Sequence, residues 1–235
     1  MEKEQIIGVM GGMGPEATAS FFKKLIEQTP VIKDQDHYRI IIDNNPKIPD
    51  RTQAILHGGP SPLPEMIKTG HNLTQAGASI LVMPCITAHY FYSDINEEMT
   101  LPFYHVLKGL DEFLSKTYPT VRKIGVLSTT ATRETRLFQE SITNKDVCFP
   151  DKESQESKVM TAIFGENGIK SGNTGHYPKQ LLKEAADELI DAGCELIVGG
   201  CTEVELALKP EDICVPFIDP MLVAAQKLTD GALSL

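Results

Sequence analysis

The sequence predicts an α/β protein of two similar lobes, each a short, largely parallel sheet flanked by helices. Three observations carry this expectation. Short runs rich in Ile, Val and Leu alternate along the chain with longer stretches of helical period, the pattern of a parallel sheet covered by helices. Several of these runs are apolar almost throughout, as strands buried on both faces must be. The chain also matches itself at a nearly constant offset, which indicates two copies of one unit.

The strands follow in order. Residues 6–10 open the chain's apolar pattern, and residues 38–43 carry Ile40-Ile41-Ile42. Residues 80–83 read Ile-Leu-Val-Met, and 103–106 follow Pro102. The second half repeats the series with 124–127, 147–149, 196–198 and 216–218. Between them, helical period predicts helices starting near Pro15, Arg51, Pro64, His89, Leu107, Thr132, Lys152, Pro178, Glu203 and Met221. Pro15 suits a first helical position, where a missing N–H costs nothing.

Composition narrows the function. The net charge of −10 argues against nucleic-acid binding, which needs a basic face to displace phosphate counterions. No apolar run approaches the ~20 residues of a membrane span, and Met1 to Gln5 lack the basic start and long apolar stretch of a signal peptide. A cytoplasmic protein is expected. The five cysteines form no C-x-x-C pair, so they read as free thiols, without a disulfide framework or a metal site.

The internal match gives two of those thiols a meaning. Residues 76–85 (Ala-Gly-Ala-Ser-Ile-Leu-Val-Met-Pro-Cys) align without a gap on 192–201 (Ala-Gly-Cys-Glu-Leu-Ile-Val-Gly-Gly-Cys), an offset of 116 from Cys85 to Cys201. Ile7-Gly8-Val9-Met10 matches Ile124-Gly125-Val126-Leu127 at an offset of 117, with Thr18 and Phe21 continuing onto Thr135 and Phe138. Leu101-Pro102-Phe103 matches Val215-Pro216-Phe217 at 114. Cys85 and Cys201 therefore fall at equivalent places, just past a strand's carboxyl end, where open α/β sheets bind ligands. If the lobes face each other about a pseudo-twofold axis, both thiols enter one interlobe cleft. A helix start beside each would favour the thiolate. Inverting a carbon centre needs a base on one face and an acid on the other, and two symmetry-related thiols answer that need without a cofactor.

Four segments carry a family resemblance: residues 11–18 (Gly-Gly-Met-Gly-Pro-Glu-Ala-Thr), 45–52 (Asn-Pro-Lys-Ile-Pro-Asp-Arg-Thr), 83–89 (Met-Pro-Cys-Ile-Thr-Ala-His) and 200–203 (Gly-Cys-Thr-Glu). Together they resemble the aspartate/glutamate racemase family over nearly the whole chain. The resemblance implies a two-base racemase independent of pyridoxal phosphate and of metal, acting on a small-molecule amino-acid substrate with aspartate or glutamate foremost, and a homodimer. It implies one lobe of residues 1–106 with 218–235, carrying Cys85, and another of 107–217, carrying Cys201. By position, Cys85 and Cys201 resemble the paired acid and base, and Arg51 and Lys170 the cations that hold an acidic side chain. Met13, Gln53, Thr87, Thr202 and Glu203 resemble pocket-lining positions, with Glu203 a candidate acceptor for the α-ammonium. One departure bears on substrate: Ile86 stands where members commonly carry Asn, which opens the range to other amino acids.

Three other readings remain at this level. Gly12-Met13-Gly14-Pro15-Glu16-Ala17 fits a G-x-G-x-x-A dinucleotide turn, with Asp43 ending the next strand; that reading leaves the cysteine repeat unexplained. A cytoplasmic amino-acid-binding protein would keep the cleft without turnover. A related isomerase or decarboxylase would use one or both sulfurs on another carboxylic acid. His89 reads as a structural histidine sooner than as an electrostatic aid to Cys85.

Overall fold

Each of the eight apolar runs becomes a strand, and every strand pair is parallel. The structure, a computed structural model, describes residues 5–230; residues 1–4, part of the stretch read for a signal segment, and 231–235 lie outside it. The chain divides into two units, one running to Gly109 and resuming at Met221, the other Leu110–Pro220.

In the first unit, β1 (Ile6–Gly11), β2 (Arg39–Asn44), β3 (Ile80–Val82) and β4 (Phe103–Tyr104) form a sheet of order β2-β1-β3-β4. In the second, β5 (Lys123–Leu127), β6 (Asp146–Cys148), β7 (Leu196–Gly199) and β8 (Phe217–Ile218) have the order β6-β5-β7-β8. The sequence repeat is thus a repeat of topology. Register agrees: Gly8 pairs with Leu81 in one sheet, and Gly125 with Ile197 in the other. Local detail repeats as well. The Thr18 hydroxyl donates to the Gly14 carbonyl at 2.8 Å and the Thr135 hydroxyl to that of Ala131 at 2.7 Å, and Phe21 and Phe138 are both fully buried.

The helices of the first unit are α1 (Pro15–Gln28), α2 (Arg51–His57), α3 (Leu63–Gln75) and α4 (Tyr92–Glu98), and α5 (Val106–Thr117) leads onward across the boundary. Helix α1 starts on Pro15 and buries Ala17, Thr18, Phe21 and Leu25, a stripe at helical spacing. Each large apolar side chain so buried contributes about 1.5–3 kcal/mol. The second unit has α6 (Thr130–Glu134), α7 (Leu137–Ser141), α8 (Lys152–Ser154), a π turn (Gln155–Met160), α9 (Thr161–Phe164), α10 (His176–Asp191) and α11 (Val204–Ala207). Helix α12 (Pro220–Thr229) returns to the first unit. Among the described residues, no helix is long and apolar enough to cross a membrane.

Three local departures from the sequence reading have plain causes. The strand expected to reach residue 106 stops at Tyr104 because the His105 ring accepts the Lys108 N–H at 3.3 Å and starts α5 at Val106. The helix expected near His89 begins as a 3₁₀ turn, Thr87–Phe91. The helix expected at Glu203 is the single turn α11, too short to supply much of a macrodipole to the preceding sulfur.

Candidate active site

The second unit presents Cys201 two residues beyond β7, after Gly200. A Cβ on Gly200 would lie 2.5 Å from Val126 Cγ1 and 2.9 Å from Ser128 Cβ, so only glycine lets the chain turn this tightly over β5. Cys201 is buried, and its Sγ–H donates to Glu203 Oε2 at 2.9 Å. The Thr202 hydroxyl donates to the same oxygen at 3.2 Å, and the Lys170 ammonium pairs with Oε1. Lys170 also lies over the Phe164 ring, 5.5 Å from its centroid. Burial pushes the Cys201 thiol well above its ordinary pKa, and the adjacent Glu203 charge pushes the same way. Burial would raise Glu203 too, but the Lys170 charge and the hydrogen bonds from Cys201 and Lys170 prevail and hold the carboxyl below its usual range. The resting group is therefore a protonated thiol on an ionised carboxylate. This corrects the expectation of a thiolate-prone sulfur at Cys201, because desolvation and a neighbouring anion outweigh a single helical turn.

The first unit presents Cys85 three residues beyond β3, also buried. Its turn is tied down by His89, whose Nδ1 donates to the Cys85 carbonyl at 2.9 Å while Nε2 accepts the Val106 N–H at 3.3 Å. Both bonds require the neutral tautomer with the proton on Nδ1. Burial, and then the nearby His105, lower the His89 pKa to about 3, so the ring carries no charge at neutral pH. His89 is structural. Position 87, which the repeat aligns with Glu203, holds Thr87. The two sulfurs thus have equivalent places in their sheets and unequal neighbours, since no carboxylate follows Cys85 as Glu203 follows Cys201.

Arg51 opens α2, whose N-cap Asp50 accepts the Gln53 N–H at 2.8 Å. The residue is 9% exposed, and its guanidinium donates to the carbonyls of Ile48 (3.4 Å), Pro49 (3.1 Å) and Met13 (3.3 Å), while Nε has no partner. Among the described residues no carboxylate lies within ion-pair distance of it. The structure so joins Arg51 to Met13. In the glycine turn itself, Gly12 has φ +93° with the Asn45 backbone 2.3 Å from where a Cβ would stand. The Gly12 N–H donates to the Thr18 hydroxyl at 2.9 Å, so the turn spends on its own helix a donor that a dinucleotide phosphate would require.

Met13, Ile86, Thr87 and Thr202 are buried, and Gln53 is exposed. Lys170, Cys201, Thr202 and Glu203 converge in the second unit. The sequence reading missed Ser128, Thr129 and Thr132, all buried at the carboxyl end of β5, where Thr129 caps α6 by accepting the Thr132 N–H at 3.2 Å. It also missed Gln155, fully buried, whose amide donates to the Ser128 carbonyl at 2.9 Å. The offset of 117 would have found Ser128 and Thr129, since it carries Gly11-Gly12 onto them.

Comparison with known proteins decides the family. Residues 10–228 match the Asp/Glu/hydantoin racemase family. The chain belongs to that family. Among similar racemases, the broad specificity amino-acid racemase RacX of Bacillus subtilis (strain 168) is 24% identical over 218 residues, covering 91% of this chain and 92% of its own. The fold of a Picrophilus torridus aspartate racemase superposes with a TM-score of 0.79 at 24% identity, covering 96% of this chain and 99% of that one. A Francisella tularensis glutamate racemase in complex with D-glutamate gives 0.69 at 18% identity, covering 97% and 80%. The resemblance read from the motifs is thereby established for the family, and the two parallel sheets are those of the racemase fold. The racemases of this family work without pyridoxal phosphate.

Proposed function

We propose that this racemase inverts an amino acid at Cα with Cys85 and Cys201 as base and acid on opposite faces of the carbon, and that aspartate and glutamate are its leading substrates. A thiolate at one cysteine takes the α-proton and becomes a thiol. The electron pair left on Cα then takes the proton of the other sulfur on the opposite face, leaving that sulfur as thiolate. The reverse reaction starts from this exchanged state. The carrying observation is the Cys201 Sγ–H bond to Glu203 Oε2 at 2.9 Å. A sulfur that rests protonated is a proton donor, and Cys85, with no such carboxylate after it, takes the part of base in that direction. Turnover needs one sulfur as thiol and the other as thiolate, so the rate should be bell-shaped in pH.

Arg51 supports an acidic substrate, because its buried guanidinium meets only backbone carbonyls and keeps an unpaired Nε, and guanidinium grips a carboxylate with parallel hydrogen bonds. A broader substrate range has its own support: Ile86 is apolar and buried, and Lys170 is already engaged by Glu203. The same reading has the enzyme act in the cytoplasm as a homodimer, without a metal ion.

The test is a screen of the proteinogenic amino acids for loss of optical rotation and uptake of deuterium in heavy water. Acidic substrates should lead. Cys85→Ala and Cys201→Ala should each abolish racemisation while leaving exchange from one enantiomer only, and Arg51→Ala should weaken acidic substrates more than neutral ones. Two-way turnover in either cysteine variant would overturn the mechanism, and equal losses across substrates would remove Arg51 from the side-chain role.

A further inference from the structure

The second unit holds two thiols that the inversion at Cα does not use. Cys148 ends β6 and pairs with Gly125 of β5. Cys194 lies in the turn from α10 to β7 and is buried, whereas Cys148 is half-buried, and both are free. They pack in one apolar cluster with Leu189 and Ile197, the side chains that a Cβ on Gly125 would meet at 3.0 and 2.6 Å. Glycine at 125 leaves no side chain between the two sulfurs, and the thiols hydrogen-bond to each other.

The internal repeat supplies a control. Gly8 is the counterpart of Gly125, Ile41 pairs with Gly8 as Cys148 pairs with Gly125, and Ala78 is the counterpart of Cys194. The Ala78 Cβ lies 2.8 Å from where a Cβ on Gly8 would stand, and Ile41 packs against the cluster that contains Ala78. Both units therefore bring these two places together beside a glycine. In the first unit plain apolar side chains fill them, so packing alone does not call for sulfur.

We propose that Cys148 and Cys194 form a redox-modification site, which hydrogen peroxide closes to a disulfide and a thiol reductant reopens. The Cys148 thiolate attacks one peroxide oxygen; an S–O bond forms, the O–O bond breaks, and the hydroxide released takes up the proton that Cys148 gave to solvent. The Cys194 sulfur then attacks the sulfenic sulfur of Cys148; the S–S bond forms, the S–O bond breaks, and the hydroxyl leaves with the Cys194 proton as water. Two thiols lose two electrons and two protons, and one peroxide becomes two waters. Exposure sets the order, because only the half-buried Cys148 has to meet the oxidant. Burial, and then the neighbouring Cys148, push the Cys194 thiol up to about 11, so it keeps its proton until the hydroxyl departs beside it. The bridge ties β6, an edge strand, to the head of β7. This inference stands on the second unit alone and does not rest on the assignment of Cys85 and Cys201.

The experiment treats the folded full chain with hydrogen peroxide, blocks the remaining thiols with N-ethylmaleimide and maps the peptides by mass spectrometry, with and without dithiothreitol. The major disulfide should join Cys148 to Cys194 and disappear on reduction. In Cys194→Ala, which installs the residue that the first unit carries at this place and so keeps the fold, the sulfenic acid on Cys148 has no partner. Its capture by dimedone should rise at least about ten-fold over wild type. The proposal is overturned if both thiols stay free in the oxidised wild type, if either pairs chiefly with another cysteine, if Cys148 passes to sulfinic acid without bridging, or if dimedone labels Cys148 equally in wild type and Cys194→Ala.

Discussion

Replacing Glu203 by Gln isolates the charge that governs Cys201. The glutamine keeps the side chain's shape and an acceptor oxygen, but removes the negative charge on which Cys201 Sγ at 2.9 Å, Thr202 Oγ1 at 3.2 Å and the Lys170 ammonium converge. Hydrogen bonds to a charged group are worth about 1.5–3 kcal/mol, and Glu203 is 4% exposed, so solvent screens little of the effect. Loss of the charge should cost roughly 2 kcal/mol, or about 4–8 °C in Tm for a chain of this size. The cost depends on pH with a definite sign. Because the folded carboxyl lies below its usual range, its stabilisation is complete above the unfolded value and is lost as pH falls through the folded one. Thermal unfolding of wild type and Glu203→Gln should therefore differ at neutral pH and converge in acid. The same change should lower the Cys201 thiol pKa, read from the pH dependence of its alkylation in a Cys85→Ala background. It should remain above the ordinary thiol value, since burial is the larger cause of its elevation. Equal Tm values across the pH range, with an unchanged alkylation profile, would refute the account of Glu203 as acceptor for the sulfur.

Two further outcomes follow from the geometry. His89 is buried, with its pKa lowered from 6.5 to about 3, so the unfolded chain binds a proton that the folded one refuses, and stability should fall by as much as several kcal/mol as pH drops from 6.5 toward 3. A His89→Phe variant should lack this acid-limb slope and, at neutral pH, lose about 1–3 kcal/mol for each of the Cys85 carbonyl and Val106 N–H left unpaired; an imidazole resonance titrating near 6.5 would contradict the buried neutral ring. Gly200→Ala forces a Cβ to within 2.5 Å of Val126 and should cost about 1–3 kcal/mol by overpacking, seen as a shifted denaturant midpoint, whereas a neutral substitution would show that the turn has room to move.

Much of this protein was legible in its sequence because the rules involved are local or repeat along the chain. Strands announced themselves by apolar content, the start of α1 by Pro15, and the duplicated topology by the offset that carries Thr18 onto Thr135. The equivalent placement of Cys85 and Cys201 after β3 and β7 came from the same match. Boundaries fared less well where a side chain intervened, as His105 does in ending β4 early.

Only the tertiary structure decided the state of the groups in the site. Lys170 and Glu203 stand 33 residues apart, a separation no helical or strand period connects, so each read from sequence as a group awaiting substrate, and folding pairs them with each other. Cys201 read as a thiol inclined to ionise, and burial beside that carboxylate makes it a proton holder. Arg51, which solvent would normally surround, is enclosed by carbonyls of its own loop and of Met13. A repeating pattern records where the backbone goes, because backbone geometry is periodic; where a proton resides depends on desolvation and on charges brought together from distant parts of the chain, and those exist only once it has folded.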